Sequence, residues 1–423
     1  MRQSQQDTTN GADGEKTVSS LGTKQKRREI LAAISVSSIA LSGCVGRINN
    51  GGDDGGSDEE TEGYLVERLG GPLDQPWAVT FFPDASGGLV TESKTGRLLR
   101  VDQDNGDHTA ISGVPEVEAT GQGGLLDVAI HPEYPEETWV YLTYTETNDS
   151  GGLTTHLGRG ELSPESDSLD GFEVLFVAEP FLDSGVHFGS RVIFGPDGYL
   201  YMTTGDRGDK RFGDEADQHV SQMTDNELGV TIRLEPDGSI PGDNPFVDDS
   251  NFSDSIYSYG HRNAQGMTVH PETGEIWQSE HGEEDGDEIN IIEEGGHYGW
   301  PVTHYGCEYG TDVPVGDAPD ERDDVVNPVY YWECGSGGFP PAGMTFYDGD
   351  VFEEWEGDLF VGNLAGQYLG RFTVSGRNVT EAEPLLTQEG WRIRDITVGP
   401  DDYLYIVVDA DDVPLIRLVP ERS

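Results

Sequence analysis

Lysine is nearly absent from this chain. Of 423 residues, 80 are Asp or Glu and only 25 are Lys or Arg, for a formal net charge of -55. Beyond residue 26 the lysines are Lys94 and Lys210 alone. A phosphate-binding surface needs Lys and Arg to displace counterions, so this composition argues against a nucleic-acid partner. Sustained helical periodicity is missing too, which argues against a helical bundle. The apolar run from Ile30 to Leu41 is too short to span a bilayer. The acid does not signal disorder, because it is spread between regular apolar segments rather than replacing them. Evenly distributed acid with scarce lysine is the expected composition of a protein working in concentrated salt, where screening weakens self-repulsion. Single Asp and Glu residues are therefore read by default as solvated surface.

The chain opens on an address. Lys26-Arg27-Arg28, the apolar run and Leu41-Ser42-Gly43-Cys44 make residues 1–44 an export signal rather than a membrane helix. The adjacent arginines resemble a twin-arginine signal, and Leu-Ser-Gly-Cys resembles a lipobox, in which Cys44 becomes the lipidated first residue at the outer face of the membrane. Residues 45–63 form an acidic, Gly-rich linker, and folded structure is expected from Tyr64 onward. Of the two other cysteines, Cys307 and Cys334 lie in Gly-rich loop sequence and either pair as a disulfide outside the cell or remain free thiols.

From residue 64 to 423 one pattern recurs. An apolar alternation runs into a turn rich in Pro, Asp and Gly, and a second apolar strand follows. It begins at Ala78-Val79-Thr80-Phe81-Phe82-Pro83-Asp84 and returns near residues 126, 191, 266, 343 and 396. Period-two alternation about such a turn is a hairpin signal. Its repetition at about 60 residues, enough for four strands and their loops, predicts an all-β, six-bladed β-propeller.

Chemistry concentrates between Tyr259 and Pro301. Gly260-His261-Arg262-Asn263-Ala264-Gln265-Gly266, Ser279-Glu280-His281-Gly282, Asp287-Glu288-Ile289-Asn290 and Tyr298-Gly299-Trp300-Pro301 set polar residues between glycines around one apolar segment. Such loops on a rigid strand scaffold commonly carry binding and catalysis. The acidic run from Glu283 to Glu288 suits a hard cation. On composition alone, however, it reads as a solvated acidic loop.

Taken in order with the hairpins, these motifs resemble the soluble PQQ-dependent sugar dehydrogenases, specifically their aldose sugar dehydrogenase branch, over Leu65 to Pro420. The resemblance implies oxidation of an aldose at C1 to a lactone, with PQQ and Ca2+ as cofactors and electrons passed to an external acceptor. It implies that His187 is the catalytic base and that Arg262 and Asn263 contact the quinone. Gln122, Tyr309 and Leu364 are the further cofactor contacts it implies, and Arg392 and Arg394 would hold the cofactor's carboxylates. It places the catalytic calcium on the carbonyls of Gly282 and Glu283. A second, structural calcium would lie on Asp287, Glu288 and the carbonyl of Tyr298. Bidentate guanidinium–carboxylate contacts and a histidine base suit those roles.

The chain departs from that family at two points. Leu364 is followed by Ala365 where the family often has a lysine beside the quinone, and Glu283 replaces a proline. Two other function classes compete with the dehydrogenase. One is a cofactor-free extracellular propeller binding sugar or protein. The other is a lactone hydrolase, which would need side-chain carboxylates converging on a central metal.

Overall fold

A computed structural model describes residues 63–421. The export segment with Cys44, and the linker through residue 62, lie outside the described residues. Six four-stranded sheets make up the fold. The inner pair of each is one of the expected hairpins: Pro76–Phe81 with Gly88–Glu92 in blade 1, Leu125–Ile130 with Trp139–Thr147 in blade 2, and Val192–Phe194 with Leu200–Thr203 in blade 3. Ala264–Val269 with Ile276–Glu280, Pro341–Phe346 with Leu359–Asn363, and Ile393–Val398 with Leu404–Val408 continue the series through blades 4, 5 and 6. Inner strands of neighbouring blades touch around the whole ring, blade 6 against blade 1 included. Blade 6 closes with the first strand of the fold, as Tyr64–Leu69 pairs antiparallel with Leu415–Pro420. The architecture is a six-bladed β-propeller.

The hydrophobic core is divided into clusters between adjacent blades, which explains why the strands carry apolar residues on both faces. Along Leu404–Val408, the side chains of Leu404, Ile406 and Val408 pack toward blade 5, whereas Tyr405 and Val407 pack toward blade 1. Blade 1 divides likewise, with Leu89 and Leu98 on its blade 2 side and Val90 and Leu99 on its blade 6 side.

The Gly-Pro-Asp turns have a shared internal logic. Tyr201 donates its hydroxyl to Asp197 and Tyr405 donates to Asp401, each at 2.8 Å, and Arg233 and Arg417 pair with the same two carboxylates. The tyrosine rings lie where a Cβ on Gly195 or Gly399 would stand, 2.4 and 2.3 Å away, so only glycine fits.

On the axis sits Arg191, 6% exposed. Its guanidinium meets Asp127 of blade 2 at 3.0 Å and Asp395 of blade 6 at 3.1 Å, and its Nε donates to the carbonyl of Gln265 of blade 4. Asp127 accepts the amide of Val192, and Asp395 accepts that of Val79. One buried cation thus ties four blades together, and its guanidinium lies 4.5 Å from the Trp77 ring of blade 1.

Candidate active site

The inner strands supply the site through β-bulges. Register slips at Pro76/Ala78, Ala264/Gly266 and Ile393/Asp395 leave Trp77, Gln265 and Arg394 without a partner across the hairpin. A bulge bends its strand and re-aims a side chain, and all three residues line one cavity of about 320 Å³. Its wall contains His187, Gln122, Arg262, Asn263, Tyr309, Leu364, Arg392 and Arg394, every catalytic and cofactor-binding residue expected from the sequence. Those residues come from loops and strands scattered between positions 122 and 394.

His187 is held from both ends. Its backbone has φ +52°, a conformation that a non-glycine residue adopts only when its surroundings impose it. Its amide donates to Gln122 Oε1 at 2.7 Å, and its Nδ1 lies 2.6 Å from Asp206 Oδ1. Asp206 is 1% exposed and also accepts from Trp300 Nε1 at 2.8 Å and from the amide of Gly208. Burial alone would raise its carboxyl, but the hydrogen bonds from His187 and His219 outweigh that and hold it far below the usual carboxylate range. An ionised Asp206 fixes the proton on Nδ1 and leaves Nε2 as a lone-pair acceptor, the form a general base requires. Burial lowers the imidazole below its ordinary value and the Arg262 charge adds to that, against the opposing pull of Asp206.

Arg262, 3% exposed, pairs with Glu283 at 2.9 Å and donates to the carbonyl of His281, and its Nε has no partner among the described residues. The other oxygen of Glu283 pairs with Lys210, whose ammonium lies 5.3 Å from the ring of Tyr309. Glu283, where the family pattern has proline, therefore binds two cations across the rim. Tyr309 is 62% exposed, so it faces solvent at the mouth.

The opposite wall is cationic. Asp409 Oδ2 accepts from Arg392 at 2.9 Å and from Arg394 at 3.0 Å. Burial would raise Asp409, and the two arginines overcome it. Arg394 also reaches Gln265 Oε1, and Arg392 reaches the carbonyl of Leu364. Four cationic side chains, Lys94, Arg262, Arg392 and Arg394, line the cavity against one lining carboxylate, Asp409.

The acidic run is not a solvated loop. Glu283, Asp285, Asp287 and Glu288 are all at most 6% exposed. Asp285 accepts the amide of Gly335 at 2.6 Å and Asp287 those of Gly282 and Phe339, so the carboxylates hold the 305–339 loop that carries Tyr309. Cys307 and Cys334 form a disulfide that closes the same loop.

Of the expected calcium ligands, the carbonyls of Gly282 and Glu283 lie in buried residues and accept no backbone hydrogen bond among the described residues. They are free to serve a hard cation. Asp287 has each carboxylate oxygen engaged by a backbone amide. Burial raises its carboxyl to about 6. Glu288 faces Glu280 across the hairpin, and burial together with Glu280 pushes its carboxyl well up. Beside it the Oδ1 of Asn290 is buried with no hydrogen-bond partner among the described residues. Tyr298 stacks on His261, which bonds Glu280, so its contacts lead back to the same group. Carboxylates, backbone carbonyls and an amide oxygen are the donor types that a hard cation takes. No cluster of three or more His, Cys, Asp or Glu suited to a metal occurs among the described residues.

Sequence reasoning assigned no site role to Asp206, Gln265, His281, Asp409 or Lys94. In so acidic a chain no local signal separates Asp206 or Asp409 from surface acid. Lys94 did carry a signal, its rarity.

Comparison with known proteins places the chain in a family. The glucose/sorbosone dehydrogenase family profile matches residues 73–417. Aldose sugar dehydrogenase YliI of Escherichia coli is 38% identical over 84% of this chain and 93% of its own length. The crystal structure of the soluble aldose sugar dehydrogenase of Escherichia coli in its apo form superposes with a TM-score of 0.77 at 37% identity, covering 84% of this chain and 99% of that one. A PQQ-bound aldose sugar dehydrogenase from Streptomyces coelicolor superposes with a TM-score of 0.65 at 26% identity, covering 84% and 98%. The chain belongs to the glucose/sorbosone dehydrogenase family, the soluble PQQ-dependent quinoproteins. It is a sugar dehydrogenase, an oxidoreductase acting on a small-molecule sugar.

Proposed function

We propose that this protein oxidises aldoses at C1 to the corresponding lactones, with PQQ as the immediate electron acceptor, calcium beside it and an external acceptor downstream. The observation that carries the reading is the juxtaposition of a surplus of cations with an unpartnered imidazole nitrogen, on the axis of a chain that is elsewhere overwhelmingly acidic. Arg392 and Arg394 would hold cofactor carboxylates, Gln122, Asn263, Leu364 and Tyr309 would line its plane, and the carbonyls of Gly282 and Glu283 would hold the cation. When bound, PQQ supplies a two-electron acceptor and calcium a Lewis acid that draws charge toward its carbonyl oxygens.

The chain's own residues do the rest. His187 Nε2 would take the proton of the anomeric hydroxyl of a sugar bound in the cavity, with bound PQQ supplying the acceptor for the two electrons and the hydrogen that C1 gives up. Asp206 would stabilise the imidazolium that results, and Arg262 would supply positive charge on the cavity wall where an acceptor gains electrons. Removing a general base typically costs about 10²–10⁴-fold in rate. His187→Ala should lower single-turnover reduction by glucose by that amount while PQQ absorbance shows full occupancy. Full occupancy with an unchanged rate would leave His187 structural. Export through residues 1–44 and a lipid anchor at Cys44 belong to the same proposal, and a Cys44→Ser variant that stays in the membrane fraction would remove them.

A further inference from the structure

One cation in the cavity has no role in the chemistry above. Lys94 stands in the tight turn at 93–96, between Gly88–Glu92 and Arg97–Val101 of blade 1. It is one of two lysines beyond residue 26, and both stand at this cavity or its rim. Chance placement on so large a surface would not put both there. Its Nζ donates to the carbonyls of Ala119 at 3.2 Å, Gly121 at 2.6 Å and Gly123 at 2.7 Å. All three ammonium protons are thus used, and the charge is immobilised. The charged groups acting on it are Asp409 and Arg394. Lys94 therefore belongs to the same electrostatic cluster as the Arg392/Arg394 pair.

We infer that Lys94 supplies, from blade 1, the positive charge that Ala365 fails to supply from blade 5, and so sets the affinity of the cavity for an anionic cofactor. The inference rests on the quinone reading. Asp409 neutralises only one of the three cations gathered around it, so an incoming carboxylate meets a net positive wall even without a lysine at position 365. Because the ammonium is already anchored, it acts as a fixed charge and needs no rearrangement when a ligand enters.

Lys94 also has a positioning role. The loop that it clamps carries Gln122, whose side chain accepts the amide of His187. A Cβ on Gly124 would lie 1.8 Å from the Ser93 carbonyl, so this loop rests directly on the lysine's turn. The charge and the clamp can be separated by experiment.

PQQ binding to calcium-loaded apo-protein would be titrated by fluorescence for wild type, Lys94→Met, Lys94→Arg, Ala365→Lys and the double variant Lys94→Met/Ala365→Lys, with near-UV circular dichroism as the check on folding. A unit charge several ångströms from the ligand in partly solvated surroundings is worth roughly tenfold in affinity. Lys94→Met should raise Kd by about that factor, Lys94→Arg should restore most of it, and the difference should shrink as salt is raised. Ala365→Lys should tighten binding more in the Lys94→Met background than in wild type, a coupling expected only if the two positions serve one ligand. Wild-type affinity in Lys94→Met would overturn the inference while leaving the quinone reading intact. So would an equal loss in Lys94→Met and Lys94→Arg with no rescue from position 365, since that pattern belongs to the clamp alone. Failure of the wild type itself to bind PQQ would remove the quinone reading and this inference with it.

Discussion

Two arginine centres lie on the propeller axis, separated by the indole of Trp77, and they do opposite things. Arg191 is met by two carboxylates and a carbonyl from three blades, so its charge is matched within the protein. Arg392 and Arg394 share a single carboxylate, Asp409, Lys94 lines the same cavity, and the excess charge faces it. The same residues reach both. Gln265 gives its backbone carbonyl to Arg191 and its side chain to Arg394, and the neighbours Arg394 and Asp395 belong to the cavity and the axle respectively. A β-bulge at the head of the inner strand makes this division possible, because it aims consecutive side chains in directions that a regular strand would not allow. Charge that is balanced within the protein holds the fold, and charge left unbalanced is available for binding.

The sharpest way to break this contrast is to remove each centre in turn. Arg191→Leu leaves Asp127 and Asp395 buried without a counter-ion and should cost about 3–5 kcal/mol in unfolding free energy, measured by chemical denaturation in concentrated salt. Converting both carboxylates to amides in that background, Asp127→Asn with Asp395→Asn, should recover much of the loss. A single Arg191→Leu variant as stable as wild type would mean that the axle is ornamental.

Arg394→Gln should do the reverse. Its stability should stay within about 1 kcal/mol of wild type, because the deletion relieves repulsion from Arg392 and Lys94. Its PQQ affinity should fall roughly 10–100-fold, the value of charge-assisted hydrogen bonds. Unfolding curves and fluorescence titration on one preparation read both numbers, and a stability loss matching that of Arg191→Leu would erase the distinction.

The smallest effect is on pH dependence. The base must be neutral, and burial holds the His187 imidazole below its ordinary value of 6.5. Activity should therefore be flat above pH 6.5 and fall only at lower pH, as Nε2 takes up a proton. Asp206 raises that value, so Asp206→Asn should move the acid limb of kcat/KM to still lower pH while reducing the plateau. A limb that moves upward, or does not move, would show that Asp206 does not govern the imidazole.

The six hairpins were legible because their information is local. The alternation of Leu200-Tyr201-Met202, the Gly-Pro-Asp turn and the partner strand lie within a dozen residues, and backbone geometry and side-chain polarity select that arrangement without help from the rest of the chain. The linked motifs around Arg262 and His187 were legible for a similar reason, since each spans only a few residues. The run from Glu283 to Glu288 was misleading because burial is not a local property. Its carboxylates look like surface acid until the 305–339 loop brings the amides of Gly335 and Phe339 against them.

What the sequence by itself determined is the propeller, its number of blades and the motif residues that the fold then brings to one cavity. Tertiary structure alone decided which acids are buried, that Asp206 stands behind His187 from nineteen positions away, and that Lys94 of blade 1 lines one cavity with Arg392 and Arg394 of blade 6. The physical reason is closure of the ring. The cavity is built from loops and strands of all six blades, and their mutual positions are set by the apolar clusters packed between blades and by the pairing of Tyr64–Leu69 with Leu415–Pro420. No stretch of sequence short enough to read as a motif contains that information.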